Sequence, residues 1–332
     1  MIKKTTTVFV FWILFACPLL HAQITDINCN ELYLAKVNAP SGLVLREQPS
    51  RTSSKIIAIP HGEEVSVCEN YQLENVFEIL NDTLEGYWQR VFYQEKQGFV
   101  FDAYLDKNPT IEVFSPNHAD MPIWLPKPVY AINAKSTVRY EQLFSVQKLH
   151  VVSKTSQSGE VYDALLEDYD NALVVFGGIQ IKSPEIWGFS NSYYGQENLF
   201  PGYTRQFGKD KKGFIIYVTG EVLPAKEQGK DDLGFTSILT INNYSVYIKS
   251  TATDDAKPQL LLFEKKVLCK EDGFVDMGAS LDFAGDLDGD EIPDLVFTQG
   301  FGKGRYWLLF LSSKSNKVNL LKLVRKAIRA GC

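Results

Sequence analysis

Residues 286 to 294 read Asp286-Leu287-Asp288-Gly289-Asp290-Glu291-Ile292-Pro293-Asp294, with carboxylates at loop positions 1, 3, 5 and 9 and the carbonyl of Ile292 at position 7. That spacing lets a short loop wrap oxygen ligands round a hard cation. The four carboxylates at these positions, with Glu291 beside them, repel one another unless a positive charge sits among them. The loop contains no His or Cys, so its donors suit calcium better than zinc. Asp286, Asp288, Asp290, Ile292 and Asp294 are therefore the expected metal ligands and Ca2+ the expected structural ion, against the plainer alternative of a solvated acidic turn. Glu291 at the sixth position and Phe297 at the twelfth stand where calcium loops commonly carry Gly and Glu, so a weak or water-completed site is expected. Gly289 lets the backbone turn tightly, and Leu295-Val296-Phe297 should leave as a buried strand.

A second set of residues could recognise rather than react. Tyr71, Tyr87, Trp88, Tyr93 and Phe101 are candidate ligand-binding rings, since aromatic side chains bury area at little entropic cost. For Trp88 core packing is the stronger reading, since a barrel this small needs most of its large side chains inside. The run from Trp187 to Tyr194, with Phe200 and Tyr203 after it, carries two readings: a sugar-stacking loop, or rings that plug a β core. Lys209 to Lys212 reads as a solvated turn.

Signs of catalysis are missing. His61, His118 and His150 fall in no His-Glu-x-x-His spacing, and no Gly-x-Ser-x-Gly or phosphate-binding Gly-Lys-Ser/Thr loop occurs. Cys68 sits inside a strand pattern and makes a poor nucleophile. A non-catalytic binding or scaffold protein is the expectation. The alternative is a cell-wall or glycan hydrolase with catalytic carboxylates in residues 110–332, whose separation is spatial and so invisible in a sequence.

Strands must position these groups. The chain of 332 residues is 45% hydrophobic and 13% aromatic, with 21 Phe and 16 Tyr, and its β-branched residues fall between Gly, Pro, Asn and Asp clusters. A mostly β protein is expected, a small barrel followed by a larger β-rich, or α+β, domain. From Tyr33 to Asp106 short strands alternate with turns: Gly42 stands where a turn needs positive φ, Pro49-Ser50 starts a loop, and Gln97-Gly98 should close a hairpin. Gly42, Leu43, Leu45, Arg46, Pro49, Ser50, Pro60, Gly62, Val65, Val67, Trp88, Val91, Gly98, Val100, Tyr104 and Leu105 occur in an order that resembles the bacterial SH3 family. Leu45 stands where that family usually has Val, Glu47-Gln48 replaces a small-Gly pair, and residues 70–86 form a longer acidic insertion that would reshape a ligand groove. The resemblance implies an SH3-like barrel that docks cell-wall peptide or an envelope protein. The acidic loop in turn resembles the calcium loops of integrin-like repeats, with Gly285 before it and Pro293-Asp294-Leu295 within and after it, although a single copy does not make a propeller.

The expected division is a signal peptide over 1–22, a lead-in over 23–32, the SH3-like unit over 33–106 and a β-rich region over 110–332, with Asp106-Lys107-Asn108-Pro109 as the boundary. Lys3 and Lys4, the apolar run Val8 to Ala16 and the small residue before Gln23 are the marks of a cleaved leader, hence a periplasmic or extracellular address. Leu14-Phe15-Ala16-Cys17 offers a second reading, a lipobox with Cys17 as lipid anchor of an outer-membrane lipoprotein. No later apolar stretch is long enough for a transmembrane helix. Loss of Lys3 and Lys4 with the leader takes the formal charge from −6 to −8, which gives no electrostatic reason to bind nucleic acid. Cys29, Cys68, Cys269 and Cys332 then remain, and four cysteines allow three pairings as well as free buried thiols. Pairing Cys29 with Cys68 and Cys269 with Cys332 keeps each bridge on one side of the expected boundary at 106–109. The tail from Ser312 to Arg329 fits a basic amphipathic helix or a short strand through Leu320 to Val324.

Overall fold

The structure, a computed structural model, describes Cys29 and residues 31–69, 76–80, 84–106, 108–114, 124–136, 141–166, 169, 172–190, 199–208, 212–227, 237–253, 255–270, 278–301, 304–315 and 319–329. The leader with Cys17, Tyr71, His118, the run 191–198 and Cys332 lie outside these residues. Among the described residues the chain is almost entirely antiparallel β, with one short 3-10 turn at Asp102–Tyr104 and no α-helix, so the α+β variant is not what forms. Among the same residues no helix is long and apolar enough to cross a membrane.

The N-terminal unit holds β1 (Glu31–Lys36), β2 (Leu43–Arg46), β3 (Lys55–Ile59), β4 (Glu64–Glu69), β5 (Val76–Leu80), β6 (Leu84–Tyr93) and β7 (Lys96–Phe101). Period-2 alternation sends Leu43 and Leu45 of β2 inward, where they join Val65, Val67, Val91 and Val100 in one apolar core. Gly42 takes the positive φ expected of it, 80°. Gly98 does not close a turn: the β6–β7 hairpin turns at Gln94 and Glu95, with φ of 46° and 64°, and Gly98 lies within β7. A Cβ at Gly98 would come 2.5 Å from the Arg46 carbonyl oxygen, so this glycine permits close approach of β2 rather than a bend.

Next come β8 (Glu112–Phe114), β9 (Val129–Asn133), β10 (Glu141–Leu149), the hairpin β11 (Val151–Thr155) and β12 (Val161–Leu165), β13 (Val174–Gly177) and β14 (Glu185–Ser190). A separate four-stranded sheet follows, β15 (Thr204–Phe207), β16 (Phe214–Glu227), β17 (Ser237–Ser250) and β18 (Gln259–Lys270). The chain closes with β19 (Ala279–Gly285), β20 (Asp294–Phe301), β21 (Gly304–Leu311) and β22 (Lys322–Arg329). The tail is thus a strand: its apolar residues do not alternate, and pairing with β21 and β1 is what satisfies its backbone. The Trp187–Ser190 stretch likewise belongs to strand β14 rather than a loop, with Phe189 buried and Trp187 64% exposed.

One long sheet runs β3-β2-β7-β6-β4-β1-β22-β21-β20-β19-β14-β10-β9-β13-β8, with β5 hung on β6, and no closed barrel is found among the described residues. β1 pairs with β4 on one side and with β22 on the other, so the N-terminal unit and the C-terminal strands share a sheet across the expected domain boundary. The strands β19–β22 are covered on both faces. Leu308 and Phe310 face the core shared with the four-stranded sheet, while Trp307, Leu309 and Leu311 face the core shared with β8, β9 and β13. This double burial explains why β21 is an unbroken apolar run instead of an alternating one. Arg325 of β22, 7% exposed, donates to Glu112 of β8 at 2.8 Å and lies 3.4 Å from Glu31 of β1, tying three strands by a buried ion pair.

Candidate cation loop and aromatic groove

The acidic loop joins β19 to β20. Asp286 caps its first turn: one carboxylate oxygen accepts the N–H groups of Gly289 (2.7 Å) and Asp290 (3.1 Å), and the other accepts that of Glu291 (2.9 Å). Gly289 has φ 82° and Glu291 φ 69°. Position six therefore does require the left-handed conformation that Gly adopts most readily, and Glu291 bears its strain while pairing with Lys212. That lysine holds the Glu291 carboxyl below the ordinary range.

Asp294, at the first position of β20, is fully buried and accepts Leu287 N–H at 2.8 Å and Ser312 N–H at 2.8 Å. The Ser312 hydroxyl lies 3.0 Å from Asp294 and 2.8 Å from Asp290, and its single proton serves one of them at a time. Burial, followed by the charge of Asp288, pushes the Asp294 carboxyl well above the ordinary carboxylate range. Asp288 is also raised, first by burial, with the Ser313 hydroxyl bond opposing. Carboxylate oxygens of Asp286, Asp288 and Asp294 all lie within 4.8 Å of one another. Asp290 is not in that triad; it accepts Ile292 N–H at 2.9 Å and faces Ser312. Ile292 packs part-buried against the core. One Asp288 oxygen, Oδ1, is buried and receives no hydrogen bond.

The expected aromatic residues do not form one surface. Trp88 and Phe101 are buried with ring centroids 5.7 Å apart, and together with Tyr104, Leu43, Arg46 and Arg51 they line a groove of about 270 Å³ beside the β1–β2 turn. Tyr87 is 43% exposed and meets Phe77 edge-on at 5.2 Å, away from the groove lining. Tyr93 is buried near Glu63, and its phenol is raised by burial and then by that carboxylate. The disulfide Cys29–Cys68 is formed, with Cα atoms 5.3 Å apart, and it covers the β1–β4 pair.

Several contributors escaped the sequence patterns. Ser312 and Ser313, at the end of β21, supply hydroxyls to a loop some twenty residues earlier, and no local motif links them to it. Glu78 of β5 accepts the Trp88 indole N–H at 2.7 Å and the Arg51 guanidinium at 2.9 Å. Elsewhere, Glu264 of β18 accepts Gln299 of β20 at 2.7 Å, and burial drives its carboxyl up to about 7 against the opposing pull of Gln299 and Lys326. Comparison with family models, with curated proteins and with solved structures finds no match for this chain.

Proposed function

We propose that the chain is an exported, non-catalytic binding or scaffold protein in which residues 33–106 form a bacterial SH3-like module that docks cell-wall peptide or an envelope protein. In this reading the 286–294 loop holds a calcium ion that pins β19 to β20 and to the end of β21. The groove carries the docking function: three aromatic rings and two guanidinium groups converge on a concavity of about 270 Å³, a recognition surface rather than a reaction centre. The 3-10 turn before Leu105, and the bridge from Leu105 to Val37, speak for a compact module with its own core. The Cys29–Cys68 bridge speaks for an oxidising compartment. For the ion, the supporting observation is Asp288 Oδ1, a buried carboxylate oxygen without a donor in the centre of an acidic triad; such an orphan calls for a partner, and a divalent ion is the economical one.

Retention of the full chain on insoluble peptidoglycan, compared with a Val44→Asp variant that puts a charge in the groove, tests the docking role. Equal retention of both proteins refutes it. The hydrolase alternative draws on one observation, a Glu264 carboxyl held near neutrality as a general acid requires. Clearing of wall material that Glu264→Gln abolishes would favour it.

A further inference from the structure

The groove's strongest donors are already engaged by the chain itself. Arg51 and Trp88 both line the groove, and the two oxygens of Glu78 take one N–H from each, at 2.9 Å and 2.7 Å. Glu78 lies on β5, inside the segment 70–86 that interrupts the SH3-like pattern. Arg46, also in the lining, donates one N–H to the Ser53 carbonyl and has no carboxylate partner among the described residues. A guanidinium carries five donors, so most of those on Arg46 remain for another acceptor. Arg46 and Arg51 are the charged residues of the lining, and Glu78, which reaches the donors of Arg51 and Trp88 from beside the groove, is not part of it, so the groove itself is locally cationic on a chain of net charge −6.

We infer that the groove binds the free carboxylate end of an extended peptide, and that Glu78 is the internal stand-in which that carboxylate displaces. The inference rests on the docking role proposed above and specifies its ligand. A planar carboxylate matches the paired N–H donors that Glu78 now occupies, and Arg46 adds charge-assisted bonds. The rings of Trp88, Phe101 and Tyr104, with Leu43, supply apolar walls for the residues just before the terminus. Exchange costs the protein little: Arg51 is 58% exposed in its pair with Glu78, and exposed ion pairs are weak. Glu78 therefore sets a threshold, keeping the donors satisfied when no ligand is present and excluding groups too weakly charged to replace it.

Titration of the full chain with N-acetyl-alanyl-leucyl-alanine, as the free acid and as its C-terminal amide, tests this by calorimetry. The acid should bind at least about tenfold tighter than the amide, since only the acid makes charge-assisted bonds. Glu78→Gln, which removes the competing charge, should tighten the acid several-fold and leave the amide unchanged, whereas Arg46→Met should bring the acid down to the level of the amide. Near-ultraviolet circular dichroism checks that each variant is folded. Equal binding of acid and amide, both lost in Val44→Asp, overturns carboxylate selection while leaving the docking groove intact. Displacement by inorganic phosphate more readily than by acetate also overturns it. Absence of binding to either peptide by both the wild type and Glu78→Gln removes the inference, and failure of the peptidoglycan retention test as well would remove the docking role with it.

Discussion

Replacing Glu264 with glutamine should make the protein more stable at neutral pH, by an amount that grows with pH in a defined window. In the folded chain burial holds this carboxyl up to about 7, while in the unfolded chain it returns to its ordinary value of 4.5. Between those values the folded state keeps a proton that the unfolded state has released, so stability falls as pH rises through the window. The loss is complete above about 7 and absent well below 4.5. A displacement of about 2.5 units corresponds to about 3 kcal/mol at 1.36 kcal/mol per unit. The substituted amide would keep an oxygen for the Gln299 side chain, which donates at 2.7 Å, and would remove only the charge. Urea unfolding of both proteins should give equal stabilities near pH 4 and a gain for the variant approaching about 3 kcal/mol near pH 8. Other groups titrate in both proteins and cancel in the difference, provided they do not couple to Glu264. Lys326, whose charge acts on Glu264, sits 4.0 Å from the Tyr306 ring. Parallel stability curves, or a variant weaker than wild type near pH 8, would show that the carboxylate is solvated or paired in the folded state and would refute the reasoning.

The other predictions concern the loop, the disulfide and the buried ion pair. Asp288→Asn should abolish stabilisation by calcium, about 2.7 kcal/mol at one hundred times the dissociation constant, while leaving the melting temperature in chelator unchanged or higher because a buried charge has gone. It is a cleaner test than Asp286→Ala, which would strip three backbone N–H groups of their acceptor with or without an ion; equal melting of wild type and Asp288→Asn in calcium would count against the ion. Replacing Cys29 and Cys68 with Ser opens a loop closed over 39 residues and should cost about 4 kcal/mol, read as a lower urea midpoint that reduction alone reproduces in the wild type. Glu112→Gln should cost about 3–5 kcal/mol by leaving Arg325 buried with only the more distant Glu31, whereas Glu112→Met combined with Arg325→Met should cost much less. Comparable losses in the single and double variants would show that packing, not charge, is what this site contributes.

The sequence alone was sufficient for whatever a short window encodes. The apolar run Leu295-Val296-Phe297 marked a buried strand, and it lies within β20 with all three residues buried. The positive φ at Gly42 and Gly289 was likewise foreseeable, because backbone sterics act locally, whereas the Cys29–Cys68 bridge, which spans 39 residues, was one of three pairings the sequence allowed. The clustering of Asp286 with Asp288 followed from spacing, but the departure of Asp290 toward Ser312 did not, since Ser312 arrives from another strand. Gly98 misled for a related reason: a glycine that permits a turn and one that admits a neighbouring strand look identical in one dimension. Only the tertiary structure decided that β1 pairs with β22 from the other end of the chain, that both faces of β19–β22 are covered, and that Glu78 reaches Arg51 and Trp88. Periodicity tells which face of a strand is apolar, but the partner that covers it is chosen by the fit of whole surfaces, and that choice is made among residues hundreds of positions apart.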